Sequence, residues 1–231
     1  MNFVHLGACV GNWNKTINDY KCGFTNFIKA NANKDDQIYL VEANPKNIEK
    51  LKENYKNFHN ANLINIAIST KKENKIFLYY TEDDAPHYMV SSTKVSHVKK
   101  HYPNSIINKF EVEAIDINKF FERFIKNKKI DYLSIDLEGI DYDVLMMIDL
   151  NKYNILNISI EHLHLNKFQK RRLISHLSKF GYSYCGFGYD SNNYDYLFKK
   201  KKIFINRFLS KFLWVISKKH LHLFNLLILK K

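Results

Sequence analysis

Cysteine, glycine and proline are scarce in this sequence of 231 residues, which contains 3, 7 and 3 of them respectively. The three cysteines (Cys9, Cys22 and Cys185) have no CxxC spacing and are too few for a disulfide framework, so they favour a reducing compartment. Hydrophobic residues make up 45% and charged residues 26% of the chain. This composition excludes a collagen-like, disulfide-scaffold or largely disordered chain and predicts a globular protein with its own core.

Arginine is also scarce, since it supplies only four of the 36 basic residues, at positions 123, 171, 172 and 207. The net charge of +13 is concentrated in residues 199–231, which carry ten basic residues and no acidic one. The rest of the chain has 26 basic and 23 acidic residues and is nearly neutral. Because arginine is the preferred ligand of phosphate and guanine, we expect no nucleic-acid partner.

The chain shows neither a secretory leader nor an apolar run of the length that spans a membrane. We therefore expect a cytoplasmic location, with a domain over residues 1–198 and a basic tail over 199–231. Apolar and cationic residues alternate at helical spacing in residues 203–229, which predicts an amphipathic helix. Its cationic face could lie on the inner face of an anionic membrane, or the helix could pack on the body or on a second copy of the chain.

Strand-like and helix-like segments alternate along residues 2–198. Predicted strands cover Asn2–Ala8, Gln37–Ala43, Leu63–Ser69, Lys75–Tyr80, Phe110–Ile115, Ile130–Asp136, Leu156–Glu161, Tyr182–Gly186 and Tyr194–Lys199. Predicted helices cover Phe24–Ala32, Pro45–Lys56, Ile117–Lys126, Tyr142–Ile148 and Lys167–Phe180. The segment Asp83–Asn104 is interpreted as a long surface loop and a candidate lid over an acceptor. The order predicts an α/β fold with a mostly parallel sheet covered by helices on both faces.

Polar residues follow the carboxyl ends of several predicted strands, where ligands bind in such sheets. Gly7 and Gly11 surround a tight turn after the first strand, and Glu42 ends the second. A carboxylate at that position can accept hydrogen bonds from a ribose diol. The turn and the carboxylate together favour a nucleoside-binding crevice, although either could be an ordinary structural feature by itself.

Carboxylates and imidazoles end the next two strands of the predicted crevice. Asp136 and Glu138 follow one strand directly, and Glu161 and His162 end the next. Such groups could orient a hydroxyl, accept its proton or hold a cation, or they could simply favour a helix N-terminus. The ten histidines form no HExxH pattern, so no dedicated metal site is predicted, although Asp136 and Glu138 could hold a divalent cation.

At these segments the chain resembles the FkbM-type methyltransferases, a branch of the class I enzymes that depend on S-adenosylmethionine (SAM). The matching segments are HLGACVG (5–11), IYLVEANPKNIEKLKEN (38–54), NIAIS (65–69), EAIDINKFF (113–121), IDYLSIDLEGIDYDVL (130–145) and ISIEH (158–162). They occur in the family's order, and the resemblance covers residues 2–198. The resemblance implies a Rossmann-like fold with a seven-stranded sheet and a bound SAM.

The resemblance also implies residue roles. The cofactor-binding residues it implies are His5, Gly7, Ala8, Gly11, Glu42, Ala43, Ala67, Ile68, Ser69 and Asp136. Among these, the glycine turn approaches the amino-acid part of SAM, Glu42 the ribose, and residues 67–69 the adenine. The implied acceptor side contains Asp136, Glu138, Glu161 and His162, with Asp136 as the first candidate for the base. One departure is His5, because an acidic residue usually stands there and helps to hold the SAM ammonium group.

The implied activity is O-methylation of a hydroxyl on a sugar, a glycan or a glycosylated metabolite. Two alternatives remain open. The chain could be an inactive SAM-fold binding module, because His5 replaces the usual acid, or a nucleic-acid methyltransferase, because its tail is basic. The near-neutral body, the scarcity of arginine and the lack of an N/D-PP-Y/F tetrapeptide argue against the nucleic-acid enzyme.

Overall fold

The computed structural model describes residues 1–12, 22–125, 129–189 and 193–201. The strands are β1 (Asn2–Leu6), β2 (Gln37–Val41), β3 (Ala61–Ile64), β4 (Ala67–Ser69), β5 (Lys75–Tyr80), β6 (Asn108–Asp116), β7 (Lys129–Ile130), β8 (Tyr132–Ile135), β9 (Asn154–Ile155), β10 (Asn157–Glu161), β11 (Tyr182–Phe187) and β12 (Asp195–Lys200). The helices are α1 (Gly23–Asn31), α2 (Pro45–Asn54), α3 (Val95–His101), α4 (Ile117–Phe124), α5 (Asp141–Met147) and α6 (Lys167–Lys179). Residues Met1–Lys200 form one compact unit.

The central sheet has seven strands in the order β11-β12-β10-β8-β1-β2-β3. Strands β3, β2, β1, β8 and β10 pair in parallel. Strand β12 is antiparallel to β10 and to β11, and the two close one edge of the sheet. The predicted α/β fold, with a mostly parallel seven-stranded sheet and an antiparallel finish, is confirmed.

Helices cover both faces of this sheet, since alternate residues of β1 enter two different hydrophobic clusters. Val4 and Leu6 pack with residues of α4, α5 and α6 on one face. Phe3 packs with residues of α1 and α2 on the other. All three side chains are at most 1% exposed. Burial on both faces explains why the consecutive residues Phe3 and Val4 are both apolar, instead of apolar and polar residues alternating.

The predicted third strand, Leu63–Ser69, is wrong as a single element. The structure divides it into β3, which pairs with β2, and β4, which pairs with β6. Strands β4 and β5 flank β6 in a separate three-stranded sheet. Asn65, between the two strands, donates from its side-chain amide to the backbone oxygen atoms of Glu42 (2.8 Å) and Ala43 (3.1 Å). The break therefore occurs where the chain contacts the carboxyl end of β2.

Several helices begin at residues whose side chains satisfy exposed backbone donors. Asp116 caps α4 by accepting from the backbone N–H groups of Asn118 (2.9 Å) and Lys119 (3.2 Å). Asn44 caps α2 in the same way, directly before Pro45. The chain leaves α6 through Gly181, whose φ of +84° suits glycine. These start and stop signals are the ones that local sequence predicts well.

The segment predicted as an irregular surface loop, Asp83–Asn104, is more ordered than expected. It contains the end of a 3₁₀ turn at Glu82–Asp84 and the helix α3. His97 and Val98 of this helix are buried. The segment packs on the body because Ser92 exchanges backbone hydrogen bonds with Tyr79 of β5, at 2.8 and 3.0 Å.

The predicted amphipathic helix over residues 203–229 lies outside the described residues. No helix within the described parts of the chain combines the length and the apolar character that crossing a bilayer requires.

Candidate active site

An open cleft of about 720 Å³ lies at the carboxyl ends of β1, β2 and β8. Seven of the residues predicted as site residues line it: Gly7, Glu42, Ala43, Ala67, Ile68, Asp136 and Glu138. The segment before α3 contributes Tyr88, Met89, Ser91, Ser92 and Thr93. The cleft therefore lies where the sequence predicted a ligand crevice.

The glycine turn forms one wall of the cleft, because Gly7 lets β1 approach β8 closely. Gly7 has a φ of +82°, and a Cβ atom there would lie 1.6 Å from the backbone oxygen of Asp136. Gly11 has a φ of +67°, and its Cβ would lie 2.8 Å from Cε2 of Tyr55. Both glycines thus permit close packing within the protein. Ala8 is buried against the α1 and α2 side of the sheet and, like Gly11, does not line the cleft.

Glu42 joins the glycine turn to the end of β2. One carboxylate oxygen accepts from the backbone N–H of Cys9 at 2.7 Å and the other from that of Asn44 at 2.6 Å. These bonds favour the ionised form, but burial dominates and raises the pKa of Glu42 to about 7. Each oxygen retains acceptor capacity for a hydroxyl group in the cleft.

His5, which stands at the position of the usual acidic residue, does not line the cleft. Its ring stacks on Phe24 with centroids 4.5 Å apart. Burial lowers the pKa of His5 to about 3, so the imidazole is neutral. His5 therefore acts as part of the packing beneath the turn and supplies no charge to a ligand in the cleft.

One side of the cleft is apolar and continues from β2 to β4. Ala43, Ile66, Ala67 and Ile68 line it. Ser69 is buried beyond this wall, outside the cleft lining, where its hydroxyl accepts from the backbone N–H of Lys71 at 3.0 Å. Such a wall suits a planar heterocycle such as adenine.

Carboxylates are concentrated on the opposite side, after β8. One oxygen of Asp136 is buried and has no hydrogen-bond partner among the described residues. Burial, and then the charges of Glu138 and Glu161, raise the pKa of Asp136 well above its ordinary value. Glu138 has a φ of +48°, which is unusual for a residue with a side chain. Its carboxylate contacts Nε2 of His97 at 2.8 Å.

Of the two residues predicted at the end of β10, only Glu161 is near this cluster. Its Oε1 lies 3.4 Å from Nε2 of His164. The ring of His162 stacks instead on Tyr196 of β12, with centroids 3.9 Å apart. Its Nε2 lies 3.1 Å from the backbone oxygen of Asn193. Neither Glu161 nor His162 lines the cleft directly.

A comparison with protein families assigns this chain to a family. A family model described as the methyltransferase FkbM domain matches residues 5–186. The chain belongs to the FkbM methyltransferase family. Residues 5–186 accordingly form a methyltransferase domain whose cofactor is SAM. Among curated proteins, no match was found.

Two solved structures are similar at low sequence identity. One is fibrillarin of Aeropyrum pernix with natively bound SAM, at 12% identity, with 86% of this chain and 64% of that chain covered and a TM-score of 0.42. The other is the precorrin-6y C5,15-methyltransferase of Geobacter metallireducens GS-15, at 11% identity, with 87% and 80% covered and a TM-score of 0.39.

The cleft of this FkbM methyltransferase fits SAM in three respects. Glu42 offers carboxylate oxygens for a ribose, and the wall around Ala67 and Ile68 offers an apolar face for adenine. Glu138 places a carboxylate in the same cleft, where the positively charged sulfur and ammonium of the cofactor could be accommodated. His5 contributes no carboxylate to this cleft.

Two groups of site residues were missed by the sequence interpretation. Asp141 accepts from the backbone N–H groups of Leu137 (2.5 Å) and Gly139 (3.1 Å), and so fixes the loop that carries Glu138. His97 contacts Glu138 from α3. An available signal was the four-residue spacing of His97 and His101, which places both on one helix face. It was overlooked because their segment was interpreted as an irregular loop.

Proposed function

We propose that this FkbM methyltransferase transfers the methyl group of SAM to a hydroxyl oxygen of a sugar, a glycan or a glycosylated metabolite. The observation that carries this proposal is the environment of Asp136. Asp136 lines the cleft and is half-buried, and one of its carboxylate oxygens is buried without a hydrogen-bond partner among the described residues. Because the residue is half-buried and lines the cleft, its carboxyl group adjoins a molecule that enters there.

The chemistry of the acceptor explains why such a carboxylate is needed. SAM carries the methyl group on a positively charged sulfur, and this sulfur is a good leaving group. The chain must therefore orient the acceptor and remove its proton. An alcohol is a very weak acid, so its proton must be accepted as the new bond forms. A carboxylate with a raised pKa is a stronger base than an ordinary one, and the pKa of Asp136 is raised.

The walls around Asp136 suit a hydroxylated acceptor. The segment before α3 presents the hydroxyl-bearing residues Tyr88, Ser91, Ser92 and Thr93 to the cleft. Ser92 is tied to the loop after β8, because its hydroxyl donates to the backbone oxygen of Glu138 at 2.7 Å. A hydroxyl side chain can both donate and accept hydrogen bonds, as a sugar hydroxyl does. We therefore infer that the segment before α3 forms the wall of the cleft that faces the acceptor.

The test is methyl transfer from labelled SAM to a panel of glycosides, oligosaccharides and lipid-linked glycans. Products are treated with mild base, which cleaves methyl esters but leaves methyl ethers, and are then hydrolysed to identify methylated monosaccharides by mass spectrometry. We expect base-stable methylated sugars. Label that base releases would indicate a carboxyl acceptor and contradict the proposal. Binding of the product S-adenosylhomocysteine (SAH) without transfer to any acceptor would favour an inactive binding module.

The variant Asp136→Asn tests the role of the base. The amide cannot accept the proton, so we expect turnover to fall by about 100-fold or more, while the affinity for SAH changes little. The control is Asp143→Asn, because Asp143 lies on α5 with its side chain 52% exposed. A large loss of SAH affinity with unchanged turnover at saturation would assign Asp136 to cofactor binding instead.

A further inference from the structure

Three histidines from two distant parts of the chain meet at the rim of the cleft. His97 and His101 lie one turn apart on α3, and His164 follows β10. The ring centroids are 4.6 Å apart for His97 and His164, 5.0 Å for His97 and His101, and 5.7 Å for His101 and His164. One nitrogen from each ring lies within 4.8 Å of one nitrogen from each of the others. Three imidazoles thus converge on one small volume.

Two carboxylates adjoin the same volume. Oε2 of Glu138 lies 2.8 Å from Nε2 of His97 and 3.9 Å from Nε2 of His164. Oε1 of Glu161 lies 3.4 Å from Nε2 of His164. The backbone is shaped for this arrangement, since a Cβ atom on Gly139 would lie 2.9 Å from Nδ1 of His97. Glycine at that position lets the imidazole pack against the loop that carries Glu138.

We propose that His97, His101, His164 and Glu138 form a binding site for one divalent transition-metal ion of the Zn²⁺ type. Zn²⁺ and similar transition-metal ions prefer imidazole nitrogen atoms together with a carboxylate oxygen. Mg²⁺ and Ca²⁺ prefer oxygen ligands alone. This site differs from the oxygen-only cation site at Asp136 and Glu138 that the sequence suggested.

The distances suit an ion of this size. A zinc ion lies about 2.0–2.2 Å from each nitrogen or oxygen ligand, so two of its ligands are at most about 4.3 Å apart. One nitrogen atom from each of the three imidazoles lies within 4.8 Å of the others, and Oε2 of Glu138 lies 2.8 Å and 3.9 Å from Nε2 of His97 and His164. Side-chain rotations that move an atom by about 1 Å therefore suffice. His101 is exposed and free to make such a movement.

Binding of an ion at this position would have two consequences. It would link α3, the loop after β8 and the loop after β10, and so fix the segment before α3 on the body. It would also lie beside Asp136, because Glu138 lines the same cleft. A role in methyl transfer would rest on the proposed function, but binding of the ion does not depend on it.

The test is a calorimetric titration of untagged, chelator-treated full-length chain with ZnCl₂ alone, without cofactor or acceptor. We expect one ion to bind to this site per chain. Replacing a direct ligand should weaken the affinity at least about tenfold in both His101→Ala and His164→Ala. The control is His59→Ala, since His59 is exposed and belongs to no such cluster among the described residues. Circular dichroism verifies that each variant is folded.

Two results would overturn the proposal. One is the absence of zinc binding, and the other is binding that both site variants retain at full affinity, which would place the ion elsewhere in the chain. Visible absorption spectra of the Co²⁺-loaded chain add a check, because a site of three imidazoles and a carboxylate gives tetrahedral or five-coordinate bands that the variants should lose. The same samples are also titrated with SAH. This measurement shows whether a variant has lost the metal site alone or the cofactor site as well.

Discussion

Cofactor affinity should depend on pH through Glu42. Burial raises the pKa of this carboxyl group to about 7. If only the ionised form accepts hydrogen bonds from the ribose, the apparent affinity is scaled by the ionised fraction. With this pKa the fraction is about one tenth at pH 6 and about nine tenths at pH 8. We therefore expect SAH to bind about tenfold more tightly at pH 8 than at pH 6.

The assay is isothermal titration of the full chain with SAH at pH 6, 7 and 8. At pH 7 about half of the Glu42 carboxyl groups are protonated, so binding should release about half a proton per SAH. Titrations in two buffers with different ionisation enthalpies measure this release. The matched variant is Glu42→Gln, which cannot ionise. We expect it to bind SAH more weakly, with a smaller pH dependence and less proton release.

The reasoning would be refuted by equal SAH affinity at pH 6 and pH 8 in the unmodified chain. It would also be refuted if Glu42→Gln kept both the affinity and the proton release of the unmodified chain. The second result would assign the titration to another buried acid. Asp141, whose pKa is raised to about 6 mainly by burial, is the first candidate.

Two further predictions concern stability and are measured by urea unfolding. Gly7→Ala should cost more than about 3 kcal/mol, because the added Cβ would lie 1.6 Å from the backbone oxygen of Asp136. Gly181→Ala has a similar φ but nothing within 4 Å, so it should cost only about 1–2 kcal/mol, and equal losses would contradict the role of close packing. Leu133→Ala should cost about 2–5 kcal/mol, because Leu133 of β8 is fully buried. The control Phe168→Ala, at a side chain 68% exposed, should change stability by less than about 0.5 kcal/mol.

The order of strands and helices was predictable because buried parallel strands and capped helices leave local signals. Asp116 before α4 and Pro45 at the start of α2 mark helix ends by the hydrogen bonds and backbone angles that they favour. The division between β3 and β4 was not predictable in this way. It depends on Asn65, whose amide contacts the end of β2 more than twenty residues away.

The residues of the candidate site also include some that could be predicted from the sequence and others that could not. Glu42 and Asp136 could be predicted, since each follows a buried parallel strand and such strands end at a common edge of the sheet. His162 was a reasonable candidate by the same argument, but its ring stacks on Tyr196 of the antiparallel strand β12. His164, two residues later, lies beside Glu138 and Glu161.

The sequence by itself therefore determined the fold class, the family and the two carboxylates at strand ends, because these depend on patterns within one segment at a time. The tertiary structure alone decided which imidazoles adjoin the cleft and why Gly7 has no side chain. His97 and Glu138 are 41 residues apart and meet at 2.8 Å, and Gly7 accommodates the backbone of Asp136. Such contacts arise only when separate segments pack, and no local pattern encodes them.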